Sequence, residues 1–63
     1  MEKKVYLLMF QQSGRNYTRR FDCFMDAEDV YLSKCRDARA SDVVLKCYRG
    51  GREVDIPAYM WSI

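Results

Sequence analysis

Lys4-Val5-Tyr6-Leu7-Leu8-Met9-Phe10-Gln11-Gln12 holds the longest apolar run in the chain, and Ser13 and Gly14 close it. Six apolar residues ending in turn chemistry read as a strand, because the run is too short for a free-standing helix. Side chains alternate across a strand, so Val5, Leu7 and Met9 face one way and Tyr6, Leu8 and Phe10 the other. Both faces are apolar, the pattern of a strand covered on both sides. The remaining sequence supplies one helix, enough to cover one face. What occupies the second face is the functional question.

The chain has 63 residues, a single domain by length, with 32% charged and 49% hydrophobic residues. That balance favours folding over disorder. A domain this small buries only about 60% of its unfolded surface, and its stability is expected at roughly 3–5 kcal/mol. Such a core leaves little room for a deep catalytic cleft. The net charge of +2 is too small to indicate nucleic acid by itself. Its distribution is uneven: Lys3, Lys4, Arg15, Arg19 and Arg20 dominate the first third, and acids dominate residues 23–42. No export signal or membrane-length segment is legible. With three cysteines, an odd number, this points to free thiols in a reducing cytoplasm.

Outward from the first strand, Ser13-Gly14-Arg15-Asn16 turns the chain into a second strand over residues 17–24. The loop can hold two, three or four residues, and its length sets the register. A three-residue loop gives the second strand the cleaner alternation: Tyr17, Phe21 and Cys23 join Met9, Leu7 and Val5 in the core. Tyr6, Leu8 and Phe10 then form the open face. A two- or four-residue loop exchanges the two sets.

Asp26 is a suitable N-cap with Asp29 three residues on, and Met25 and Val30 have the spacing of a hydrophobic staple. Acids at this end and Lys34, Arg36 and Arg39 at the other complement the helix dipole. The helix is expected from about Ala27 to Arg39, with an apolar stripe of Ala27, Val30, Tyr31, Cys35 and Ala38. Ala40-Ser41 links it to a third strand, Asp42 to Arg49. Gly50-Gly51 is a primed two-residue turn, and Arg52 to Ile56 is the fourth strand. This hairpin pairs Cys47 with Val54 and Leu45 with Ile56 on an inner face, and Tyr48 with Glu53 and Lys46 with Asp55 on an outer one. Pro57 ends the pairing, and the last residues, Ala58-Tyr59-Met60-Trp61-Ser62-Ile63, are too apolar for a solvated tail.

Cys23, Cys35 and Cys47 lie twelve residues apart, but two of them fall on unlike elements, and zinc prefers closer ligand pairs. All three are expected as buried apolar groups. There is no histidine, which removes the commonest general base and the usual partner of a cysteine nucleophile. Glu28 and Asp29 are explained by capping electrostatics. The chain is expected to be non-enzymatic, without cofactor or metal. Arg49-Gly50-Gly51-Arg52 reads as a hairpin, not as a nucleic-acid element.

The expected class is therefore α+β, in the order β-β-α-β-β, a four-stranded mostly antiparallel sheet with one helix on one face. In its Val5–Phe10 strand, its Asp26-x-x-Asp29 capped helix and its Asp42–Ile56 hairpin the chain resembles small phage-encoded inhibitors of host machinery, of the anti-CRISPR and RNA-polymerase-inhibitor type. The resemblance implies a cytoplasmic, stoichiometric binder that occludes or locks a partner protein. The contact residues expected from the sequence are Tyr6, Leu8, Phe10, Arg20, Tyr59 and Trp61, in a monomer or a homodimer. The alternative is a small nucleic-acid-binding domain using Lys3, Lys4, Arg15, Arg19 and Arg20.

Overall fold

The computed structural model describes residues 3–61. It contains β1 (Lys4–Gln12), β2 (Arg15–Phe21), α1 (Phe24–Arg36), β3 (Ala40–Arg49) and β4 (Arg52–Val54), then a single 3-10 turn over Ala58–Met60. The strands form one sheet in the order β2-β1-β3-β4, every neighbouring pair antiparallel. With α1 packed on one side, this is the expected α+β architecture. No described helix is long and apolar enough to cross a membrane.

The first hairpin has a two-residue loop. Ser13 (φ 54°) and Gly14 (φ 75°) both take the left-handed conformation, the primed turn whose twist matches that of antiparallel strands. Gln12 therefore pairs with Arg15, Phe10 with Tyr17, Leu8 with Arg19 and Tyr6 with Phe21. This overturns the three-residue loop expected from alternation in β2. A one-residue change in loop length moves an entire side-chain set across the sheet. The residues expected on the open face, Tyr6, Leu8 and Phe10, are accordingly the core, exposed by only 5%, 0% and 6%.

The helix starts and ends about one turn earlier than the capping pattern predicts. Cys23 occupies the N-cap without a side-chain bond, and Ala27 N–H donates to the Cys23 carbonyl at 3.1 Å. Asp26 lies in the first turn instead of capping it. The gain that draws Phe24 into the helix is tertiary: its ring packs edge-on against Tyr6 at 5.5 Å and against Trp61 at 5.2 Å. Aromatic contacts of this geometry are worth about 0.5–1.5 kcal/mol beyond burial, comparable to a side-chain cap. At the other end Asp37 stops the helix, its carboxylate accepting the Arg39 N–H at 2.9 Å. That bond also holds the Asp37 carboxyl below the usual carboxylate range.

Because the helix stops early, β3 begins at Ala40. A bulge opposite Phe10 takes up the difference: Met9 pairs with Val44 but Gln11 pairs with Ser41. Asp42 adopts a left-handed φ of 53° at this bulge, a conformation Asp tolerates better than most residues. The second hairpin has the expected turn, with positive φ at Gly50 and Gly51. Its regular pairing ends at Val54, so the expected Lys46–Asp55 pair is replaced by a diagonal ion pair from Lys46 to Glu53 at 3.5 Å.

Tyr6, Phe24, Ala27 and Cys47 form the core, with Phe21, Leu45, Val54, Ile56, Met60 and Trp61 partly buried around it. Burial raises the Tyr6 phenol above its ordinary value, helped by the adjoining Cys47 thiol. Of the three cysteines only Cys47 is buried, and Cys23 and Cys35 are exposed. Cys23 is exposed because it precedes the helix at its cap; Cys35 lies on the outer side of the last turn. The expected helical stripe is corrected in the same way, with Phe24, Ala27 and Glu28 buried, and Cys35 and Ala38 at the surface.

Candidate interaction surface

Two elements compete for the faces of β1, and both go to the same side. Helix α1 covers Tyr6 through Phe24 and reaches Phe10 through Lys34, whose ammonium stands 4.7 Å from the ring centroid. The Lys34 ammonium also donates to Gln12 Oε1 at 3.1 Å. The chain after Pro57 follows the helix. Trp61 sits on Phe24 and, at 5.2 Å, on Tyr31, and Met60 joins the same cluster. Met60 and Trp61 thus seal the helix side and, among the described residues, leave the opposite face of the sheet clear; Ser62 and Ile63 lie outside the described residues.

That opposite face is built from alternate residues of β1, Val5, Leu7 and Met9, all half-buried. Val5 pairs with Tyr48, Leu7 with Lys46 and Met9 with Val44 on β3. On the β2 side Leu7 pairs with Arg20 and Met9 with Thr18. The result is an apolar centre of five residues, Val5, Leu7, Met9, Val44 and Tyr48, with Val44 exposed by 41%. Ion pairs flank it on both sides. Arg20 meets Asp22 at 3.8 Å beyond β2, and Lys46 meets Glu53 at 3.5 Å towards β4. These pairs are exposed and add little to stability, but they neutralise the rim. An apolar centre inside a polar rim is the anatomy of a protein interface.

At the Ser13-Gly14 end the same face carries a cavity of about 230 Å³. Met9 and Gln11 line it from β1, Asn16 and Thr18 from β2, and Asp42 from the β3 bulge, with Phe10 and Tyr17 lying between them in their strands.

The contact residues expected from the sequence are dispersed. Tyr6, Leu8 and Phe10 are core and cannot offer a surface. Trp61 is half-buried on the helix side, and Tyr59 is 87% exposed on the 3-10 turn. Arg20 alone of the six borders the open apolar centre. Sequence reasoning reached Val5, Leu7 and Met9 only as the alternative set; Val44, Tyr48, Lys46 and Asp42 are brought to them by the β1–β3 pairing, which has no local sequence signal.

The cations expected for nucleic acid are also separated. Lys4 and Arg15 stand at opposite ends of the paired strands, and Arg19 lies on the helix side, 5.2 Å from the Phe21 ring centroid. Arg20 points to the other face with Leu7, and Lys3 precedes β1. The pairing gathers no single basic stripe from these five. No protein-family model, curated protein or solved structure matches the chain.

Proposed function

We propose that the protein is a small non-enzymatic binding module that inhibits or modulates a partner protein by occluding or locking it, and that it does so through the open sheet face. One observation carries this reading: among the described residues an apolar centre of Val5, Leu7, Met9, Val44 and Tyr48 remains uncovered, although the chain possesses apolar residues at Met60 and Trp61, which pack elsewhere. The molecule measures 38 × 24 × 16 Å, so its broad side can supply the roughly 800 Å² per partner of a standard interface. Tyr48 and Arg20 are residue types that make interface hot spots. Because the rim cations Arg20 and Lys46 are already paired within the chain, binding should depend less on salt than phosphate contacts do. A phosphate binder, by contrast, loses affinity by orders of magnitude between dilute and moderate salt.

The test is affinity capture from native host extract with mass-spectrometric identification, comparing wild type, Leu7→Glu on the open face and Ser33→Glu on the exposed side of α1. The expected result is a stoichiometric partner retained by wild type and Ser33→Glu and lost by Leu7→Glu, with the urea midpoint of Leu7→Glu little changed. Equal capture by a folded Leu7→Glu removes the open face from the function.

A further inference from the structure

The bulge in β3 is placed where it serves the open face. Between Ser41 and Val44, which pair with Gln11 and Met9, the extra residue breaks the alternation, and Asp42 takes a left-handed φ of 53°. Bulges re-aim side chains, and a non-glycine residue held in this region is a recurrent feature of ligand clamps. Here the bulge sets Asp42 on the wall of the 230 Å³ cavity that Met9 and Gln11 floor and Asn16 and Thr18 close. Among the described residues the Asp42 carboxylate makes no ion pair and no side-chain hydrogen bond. The cations bordering the apolar centre, Arg20 and Lys46, are already engaged with Asp22 and Glu53.

We infer that this cavity is a socket for a cationic side chain of the protein partner, an arginine in preference to a lysine. The inference rests on the open face being the protein-binding surface and names the anchor that surface accepts. Asp42, Gln11, Asn16 and Thr18, exposed residues that line this one space, each carry an acceptor oxygen. A guanidinium presents five donors in a planar fork and can satisfy several of them together, where an ammonium presents a point charge. Met9 on the floor offers a thioether and methylenes against which the aliphatic stem can lie. The cavity is smaller than the roughly 300–1,000 Å³ typical of small-molecule sites, a volume suited to one side chain. In a second copy the described cations bordering the apolar centre, Arg20 and Lys46, already meet Asp22 and Glu53, so the arginine is assigned to a heterologous partner.

The experiment titrates the isotope-labelled full chain with N-acetyl-arginine amide, N-acetyl-lysine amide and N-acetyl-glutamate amide, followed by backbone and side-chain amide resonances. The arginine compound should shift Gln11, Asn16, Thr18 and Asp42 saturably, the lysine compound more weakly, and the glutamate compound not at all. Asp42→Asn, which keeps a residue tolerant of the left-handed conformation, should weaken arginine binding by about tenfold or more by removing a charge-assisted bond. If Asp42→Asn also lowers the urea midpoint, Asn16→Asp gives the converse test: a second carboxylate in the cavity should tighten arginine binding severalfold. Equal shifts from all three compounds, or arginine binding indifferent to both substitutions, overturn the socket. A silent arginine titration together with partner loss in Leu7→Glu sinks the socket and leaves the face. Partner retention in a folded Leu7→Glu sinks the face and with it the assignment to a partner. A doubled mass in sedimentation that Asp42→Asn abolishes would make the occupant a second copy and overturn the heterologous assignment.

Discussion

Leu7 and Leu8 are consecutive, chemically identical and on the same strand. Leu8 is fully removed from solvent in the helix-covered face, paired with Arg19 and Leu45. Leu7 lies half-buried on the other face between Arg20 and Lys46. The difference is made by what each face attracts. The helix side acquires Phe24, Tyr31 and Trp61, whose rings form a chain: Tyr31 on Trp61, Trp61 on Phe24 and Phe24 on Tyr6. Among the described residues the open side acquires only the side chains of its own sheet. A strand that is apolar on both faces therefore ends with one face packed under the helix and one that no described segment covers, the face proposed to bind a partner.

The comparison can be broken most directly at its centre. Leu8→Ala should lose about 2–5 kcal/mol, the usual cost of a buried leucine truncation. Set against a total of roughly 3–5 kcal/mol for a domain of this size, the variant should be largely unfolded at room temperature. Leu7→Ala should lose about 1 kcal/mol or less, as substitutions outside a core do. Urea midpoints of the two variants measure the contrast, and equal losses would mean that both faces are core. A smaller effect is expected at the tail. Trp61→Ala removes a half-buried ring from Phe24 and Tyr31 and should cost about 1–3 kcal/mol. As the only tryptophan, Trp61 also reports directly: its emission should shift at the same urea concentration as the helical circular dichroism signal. A separate, earlier shift would detach the tail from the helix side. The smallest effect concerns the thiols and leaves stability unchanged. A disulfide reagent should modify Cys23 and Cys35 rapidly in the folded protein, and Cys47 only as the chain opens. Three slow thiols would restore the all-buried arrangement that their apolar character suggests.

Much of this architecture is legible locally. Gly50-Gly51 specifies a primed turn because both positions need positive φ, and the pairs Arg49–Arg52, Tyr48–Glu53 and Cys47–Val54 follow from it. The helix is announced by its charge pattern, although its ends are not: the contacts of Phe24 outweigh the capping preference of Asp26. The open surface is half legible. Alternation in the first strand presents two candidate sets, Tyr6–Leu8–Phe10 and Val5–Leu7–Met9, and chooses neither. Alternation in β2 favours the wrong one, because Cys23 leaves the strand before it can pair and Tyr17 packs on Phe10 (5.3 Å, stacked) as an edge residue exposed by 41%. The signal that could have decided it is Ser13-Gly14 taken as a complete two-residue turn, since such dipeptides mark turns in their own right.

The amino-acid sequence by itself determines the elements, their order, the antiparallel hairpins and the fact that β1 has two apolar faces, because turn chemistry and side-chain period act over a few residues. Tertiary structure alone decides which of those faces becomes core. The choice depends on a one-residue difference in loop length, on the rings that Phe24 and Trp61 bring from distant positions, and on a bulge at Asp42 that has meaning only once β3 lies beside β1. Each of these is a contact between segments far apart in the chain. Burial energy, which depends on area and not on sequence distance, settles what local pattern leaves equal.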